Sequence, residues 1–202
     1  MDGSAKKFLD ILKKTEIKIL PQKRKYLKIL NKIELKDGKR NISIEPSDQS
    51  FEVEFELNYK NKIIGNQTNC VNFQLDNLKQ VTESRTFCLY DDIEKIKKVG
   101  LAKGGSLENA IVVKDKEILN KGGLRNNKEF VNHKILDLSG DFLLSGFRII
   151  GKVRCHQGGH ELTNKFLRKV LKSKSFLLTS DLQDPIFPKS RSDQTVKIAV
   201  NA

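Results

Sequence analysis

"EFVNHKILDLSGDFLLSG", residues Glu129 to Gly146, decides how the rest of this chain is read. Val131, Ile135, Leu136, Leu138, Phe142 and Leu143 mark a helix that is apolar over most of its circumference. His133, Lys134, Asp137 and Asp141 interrupt it. His133, Asp137 and Asp141 are spaced by four, and at about 100° per residue the three drift by only about 80° in total. Lys134 falls beside Asp141 at the edge of that stripe. Unpaired buried charge is costly, so the stripe must meet partners, water or a metal. Two readings stay open on these residues alone. An imidazole and a carboxylate at i,i+4 can grip one cation, in the manner of HExxH with a carboxylate replacing the second His. Alternatively His133 and Asp137 are a hydrogen-bonded pair, with Lys134 salt-bridged beside them, that serves packing only. The further carboxylate of Asp141 suits a catalytic site, where it orients a second acid or base.

Around this helix the chain reads as hairpins first and helices later. Residues 4–14 (SAKKFLDILKK) predict a short amphipathic helix with Ser4 as N-cap. Residues 26–35 alternate roughly as one strand, and Asp37-Gly38 turns it into a second strand through Ile42 and Ile44. Phe51, Val53, Phe55 and Leu57 alternate strictly with Glu52, Glu54 and Glu56, the clearest strand in the chain. Residues 61–74 hold a turn and another strand, and 82–89 a connector. A short helix over 92–99, closed by Gly100, and an apolar strand over 110–113 predict a βαβ insert at about 90–120. After the long helix come a buried strand from Ile149 to Val153 and a second helix over about 161–173. The stretch 174–202 contains Pro185, Pro188 and polar clusters, and reads as a loosely packed tail. The pattern predicts an α+β fold, a layered sandwich of sheet and helices.

Bulk properties narrow the function classes. The chain has 202 residues and a net charge of +13. Only eight of its 38 cationic residues are Arg, and the Lys are spread along the sequence. Readers of bases and phosphates favour Arg forks and clustered patches, so nucleic acid is not the expected partner. The Lys- and Asn-rich, Trp-free composition reads instead as the codon usage of an AT-rich genome. No run of about 18 apolar residues predicts a transmembrane helix. Cys70, Cys88 and Cys155 are widely spaced with no CxxC, which suits a reducing cytosol.

Three other stretches carry candidate chemistry. In "HQGGH", Gly158-Gly159 separate His156 from His160 and place His160 at the start of the second helix, where it is either a cap without chemistry or stands at a helix start that welcomes an anion. "GLAKGGSLENAIVV" lacks the Lys-Ser/Thr of a P-loop and the GxGxxG spacing, so it reads as a turn into a buried strand. "SRTFCLYDD" places Thr86 and Phe87 in a loop, where a hydroxyl and an aromatic are commonly structural.

Taken together, "RTF", "GLxxGGSxxNAIVV", "LNxxGLRxxxEFVxHKxLDxxGD", "IIG" and "GHxLxNxxL" closely resemble UDP-3-O-acyl-N-acetylglucosamine deacetylase. This is the zinc amidase of the committed step of lipid A biosynthesis in Gram-negative bacteria. The resemblance covers about residues 1–173. It implies a cytoplasmic enzyme of two domains of similar topology with the site between them. Residues 1–20 would then be the last helix of the first domain, and residues 21–173 the second domain. His133 and Asp137 would be zinc ligands. Asp141 would orient His160, the acid that protonates the leaving amine. Thr86 would stabilise the oxyanion, and Lys134 would sit beside the substrate. Gly105, Ser106 and Val112, with Ile93 opposite, would line the passage for the acyl chain, and Phe87 and Tyr59 would contact the uridine end. The substrate would be UDP-3-O-acyl-N-acetylglucosamine, with zinc as Lewis acid and water activator.

The departures from that family carry expectations too. Its first domain holds a general-base Glu followed directly by another zinc His, and no Glu-His pair occurs here. A catalytic zinc normally has three protein ligands, and the resemblance assigns two in this chain. The expectation is a C-terminal portion, from an incomplete or misread gene or from a split enzyme whose other half is encoded separately, that binds zinc weakly and does not turn over alone. A non-catalytic module binding UDP-linked lipid sugars is the alternative. Gln157 stands where the family has a phosphate-contacting Lys, and Arg40 is expected to keep a cation near the nucleotide.

Overall fold

The computed structural model describes residues 2–18, 20–100 and 102–180. The chain opens with helix α1 (Lys6–Leu12), followed by strands β1 (Tyr26–Ile29), β2 (Ile33–Asp37), β3 (Arg40–Glu45), β4 (Phe51–Asn58) and β5 (Asn66–Asn72). A single turn, α2 (Lys79–Thr82), leads to β6 (Phe87–Leu89), helix α3 (Ile93–Lys98), β7 (Ile111–Lys114) and β8 (Glu117–Ile118). The long helix α4 (Glu129–Leu143) precedes β9 (Arg148–His156), helix α5 (His160–Lys172) and β10 (Phe176–Thr179).

Strand β9 is the axis of a seven-stranded mixed sheet. Its residues 152–156 pair with antiparallel β3 and, on the opposite edge, with parallel β4, while 148–150 pair with parallel β1. Helices α4 and α5 pack on each other and on this sheet, giving the two layers of an α+β sandwich. The alternation of β4 explains its place. Val53, Phe55 and Leu57 are buried, while Glu52, Glu54 and Glu56 face Lys152, Arg154 and His156 across the ladder at 3.8, 3.3 and 3.2 Å. Val131, Ile135, Leu138 and Phe142 of α4 and Leu162, Phe166 and Val170 of α5 close the core from the helical side.

Gly151 lies where β9 passes from β1 to β3. A Cβ there would stand 3.0 Å from Ile29 Cγ1, 3.1 Å from the Glu45 carbonyl oxygen and 3.1 Å from Ile44 Cδ1. Gly151→Val is therefore expected to destabilise the fold by about 3 kcal/mol, the upper range for an overpacked core. Urea unfolding checks this, and a loss under about 1 kcal/mol would mean the two isoleucines repack freely.

Three expectations change. Residues 26–35 are two strands, because β1 is tied to β9 and β10 while β2 turns back onto β3. Exposed Leu30 lies between them, its N–H on the Ser175 carbonyl. The stretch from Lys174 is not loose throughout: β10 pairs with β1 in register, and residues 181–202 lie outside the described residues. Ser4 precedes the cap position of α1, which Ala5 occupies without a side-chain bond, although Ser4 Oγ does accept from the Lys6 N–H. The Asp37-Gly38 turn is a two-residue hairpin closed by the Asp37–Arg40 pair, and Gly38 takes the φ of +60° that the turn needs. The βαβ unit is present, with β6 and β7 parallel.

Candidate functional site

Helix α4 presents its polar stripe toward the start of α5. His133 Nε2 lies 3.2 Å from Asp137 Oδ1, and Lys134 Nζ lies 3.5 Å from Asp137 Oδ2. Asp141 receives His160 Nδ1 at 2.9 Å, which leaves His160 Nε2 4.0 Å from Asp137 Oδ2. Residues from two helices thus converge on one strip of surface. His160 reaches it because β9 ends at His156 and extended Gly159 caps α5. His133 is buried, and its Nδ1 is 3.2 Å from the Ser84 carbonyl.

Among the described residues no group of three His, Cys, Asp or Glu is arranged to hold a metal. Two donors do fit. His133 Nε2 and Asp137 Oδ1 lie 3.2 Å apart, near enough for one ion to touch both, and the Ser84 carbonyl stands at the other ring nitrogen, as is usual for metal-ligating imidazoles. The described residues therefore fit two positions of a zinc site.

Burial pushes the His133 imidazole below its ordinary value, and the Lys134 cation adds to this. The Asp137 carboxylate and the Ser84 carbonyl oppose it without overcoming it. Below the ordinary value of 6.5 the unfolded chain takes up a proton that the folded chain refuses. Acid then favours unfolding, and stability rises with pH through that window. Asp2 acts at lower pH. Burial raises its carboxyl, but hydrogen bonds from Arg125 and Ser4 outweigh this and hold it at about 2. Unfolding free energies measured from pH 5 to 7.5 are expected to rise in the parent and to rise less in His133→Gln. Equal slopes would remove His133 as the cause.

Beside the stripe, Thr86, Phe87, Ile93, Gly105, Ser106 and Val112 line one apolar cavity of about 390 Å³. Phe87 packs edge-on against Phe130 at 4.9 Å and against Tyr59 at 5.9 Å, and Lys134 Nζ lies 5.6 Å from its ring centre. Phe87 therefore joins the cavity to the stripe. Arg40 pairs with Asp37 at 2.5 Å and with Glu161 at 3.4 Å, near the start of α5. Gln157 Oε1 accepts the Asn58 N–H at 3.0 Å, and its Nε2 donates to the Asn58 carbonyl, so that side chain is fixed to the end of β4.

Two supports escaped sequence reasoning. Asn120 accepts the Val112 N–H at 2.8 Å and donates to the Leu107 and Ala110 carbonyls at 2.7 Å, which pins the cavity loop. Glu129, fully buried, holds Arg85 at 2.8 Å. A lone Asn after a strand and a Glu in a helix's first turn are ordinary signals for turn and cap, and neither names a distant partner.

The fold and site define a layered α+β unit with a helix-borne His–Asp stripe beside an apolar cavity. The profile of the LpxC family, UDP-3-O-acyl N-acetylglycosamine deacetylase, matches residues 1–172, and the chain belongs to that family. It is 38% identical over 176 residues to the UDP-3-O-acyl-N-acetylglucosamine deacetylase of Nautilia profundicola, covering 87% of this chain and 60% of that protein. The deacetylase of Geotalea uraniireducens is 35% identical over 172 residues, 85% of this chain and 56% of its own length. That of Pseudoalteromonas translucida is 33% identical over 189 residues, 92% of this chain and 62% of its own length. The chain thus spans roughly three fifths of the curated relatives it matches. No helix among the described residues is long and apolar enough to cross a membrane.

Proposed function

We propose that this chain supplies one side of a cytoplasmic zinc-dependent deacetylase that removes the acetyl group from UDP-3-O-acyl-N-acetylglucosamine in lipid A biosynthesis. The observation that carries the reading is the convergence of His133, Asp137, Asp141 and His160 beside an apolar cavity headed by Thr86. His133 and Asp137 hold the zinc, with the third donor supplied from outside the described residues, by an N-terminal domain in the same or a separate chain. When bound, zinc supplies Lewis-acid polarisation of the acetamide and activation of water. Asp141 holds His160 Nδ1, so Nε2 is the atom that carries a proton to the leaving amine. The Thr86 hydroxyl stabilises the oxyanion that develops on the amide carbonyl. Lys134 sits beside the substrate, and Phe87 and Tyr59 meet its uridine end. The cavity takes the acyl chain and excludes water from it.

The test is acetate release from UDP-3-O-acyl-N-acetylglucosamine, followed by proton NMR with Zn²⁺ present. The chain alone is expected to be inactive, and a separately produced N-terminal domain of a relative is expected to restore turnover that Thr86→Val lowers. Tight zinc binding and deacetylation by the chain alone would overturn the two-donor assignment. A restored enzyme indifferent to Thr86 and His160 would overturn the roles given to them. A second reading is a non-catalytic module for UDP-linked lipid sugars, which would use the apolar cavity and would not need the metal. Saturable calorimetric binding of the UDP-sugar without zinc supports it, and a flat titration removes it.

A further inference from the structure

Glu129 is fully buried at the first position of α4, and four N–H groups converge on it. Its Oε1 accepts the Arg85 backbone N–H at 3.1 Å and Arg85 Nε at 2.8 Å. Its Oε2 accepts Arg85 Nη2 at 3.1 Å and the Arg125 backbone N–H at 2.6 Å. Arg85 Nη2 also donates to the Gly123 carbonyl at 2.8 Å. Stability alone does not call for such a pair, since apolar residues often replace a buried ion pair without loss. Its position in the chain is more telling. The Arg85 N–H and the Ser84 C=O belong to one peptide plane, so their directions are fixed to each other. Glu129 grips that plane by its N–H, while the C=O meets His133 Nδ1 at 3.2 Å, one helical turn further along α4. The residue on the other side of Arg85 is Thr86, whose own N–H and C=O are held by Gly3 and Ile111.

We infer that the Arg85–Glu129 pair is a positioning device that locks the Ser84–Arg85 peptide plane, and through it sets which ring nitrogen of His133 carries hydrogen. A neutral imidazole has one N–H to place: the Ser84 carbonyl is in hydrogen-bonding position at Nδ1, 3.2 Å away, whereas Asp137 Oδ1, 3.2 Å from Nε2, is an ion-pair neighbour without hydrogen-bond alignment. Only the form with hydrogen on Nδ1 leaves Nε2 free for a metal. Glu129 thus biases the ring toward the binding form before any metal arrives. The purpose of this bias rests on the role proposed above for His133, but the bias itself does not.

The test is the tautomer ratio of His133, read from imidazole nitrogen shifts of the labelled full chain without metal. The chain has three His, and His160, held by Asp141, serves as internal control. Two variants are compared with the parent. Glu129→Gln keeps an oxygen for only one of the two backbone N–H groups, since Arg85 and Arg125 use different carboxylate oxygens, and so weakens the grip. The double variant Arg85→Met, Glu129→Met removes the pair without leaving an unpaired charge. The Nδ1–H to Nε2–H ratio is expected to fall about threefold in the first and about tenfold in the second, the scale of one net hydrogen bond, with His160 unchanged. An unchanged ratio in both variants overturns the inference. If the double variant does not fold, Glu129→Gln alone decides, and no shift there overturns it. A wild-type chain that ignores Zn²⁺ would sink the role proposed for His133 while leaving the tautomer result standing.

Discussion

Replacing His133 with Ala is expected to abolish the saturable response of this chain to Zn²⁺. The described residues offer one imidazole and one carboxylate close together, His133 Nε2 and Asp137 Oδ1 at 3.2 Å. A two-donor site has no redundancy, so removing either donor leaves a single side chain that differs little from any surface carboxylate or imidazole. Losing only an outer partner of a ligand typically costs 10–100-fold in affinity, and losing the ligand itself is expected to cost at least about 100-fold. That corresponds to about 2.7 kcal/mol of binding free energy. Asp137→Ala is expected to match it. Asp141→Ala is expected to change zinc affinity little, because its carboxylate is held on His160 at 2.9 Å and is not aimed at the His133–Asp137 pair. Titration followed on the imidazole resonances separates the three variants. If His133→Ala responds like the parent, the ion binds elsewhere and the stripe is a packing device. If Asp141→Ala is as damaging as the other two, the site is organised around His160 instead.

The residues that make this prediction possible were legible because their spacing is local. A four-residue repeat on a helix places His133, Asp137 and Asp141 on one face whatever the rest of the chain does. The strand at Phe51–Asn58 was legible for the same reason, since a period of two encodes a half-buried strand in eight residues. The break between Ile29 and Ile33 was not, because Leu30 continues an apolar pattern and only the separate neighbours of β1 and β2 end it. Strand β10 was hidden by composition: Phe176–Thr179 is short, and its partner β1 lies about 150 residues earlier in the chain. The Arg85–Glu129 pair spans 44 residues. In the sequence Glu129 is one acid at a helix start and Arg85 one base in a loop, and each has a sufficient local explanation. The cavity stands between these cases. Its lining residues were assigned through the family resemblance, whereas Asn120, which ties its loop, sits at an unremarkable turn.

Phe130→Ala is expected to be the most destabilising single truncation near the site. Phe130 is fully buried on the first turn of α4, and its ring packs edge-on against Phe87 at 4.9 Å. Truncating a buried Phe costs about 3–5 kcal/mol through lost burial and the cavity left behind. The aromatic pair contributes about 0.5–1.5 kcal/mol of that. In a chain of this size the midpoint of thermal unfolding should fall by about 6–20 °C. Phe8→Ala is the contrast, because Phe8 is 52% exposed and an exposed site usually changes stability by less than about 0.5 kcal/mol. The functional consequence runs through Phe87. That ring bridges Phe130 below and Tyr59 beside it, adjoins Thr86 in the chain, and carries Lys134 5.6 Å from its centre. A void under Phe87 lets the ring sink away from Tyr59 and Lys134, so the surface assigned to the uridine end loosens as the core weakens. A double-mutant cycle with Phe87→Ala measures that link, and residues in such contact should couple by at least about 0.5 kcal/mol. Strict additivity would show instead that the core beneath α4 and the aromatic surface above it are independent, with the site held in place by the hydrogen bonds at Ser84, Arg85 and Asp141 alone.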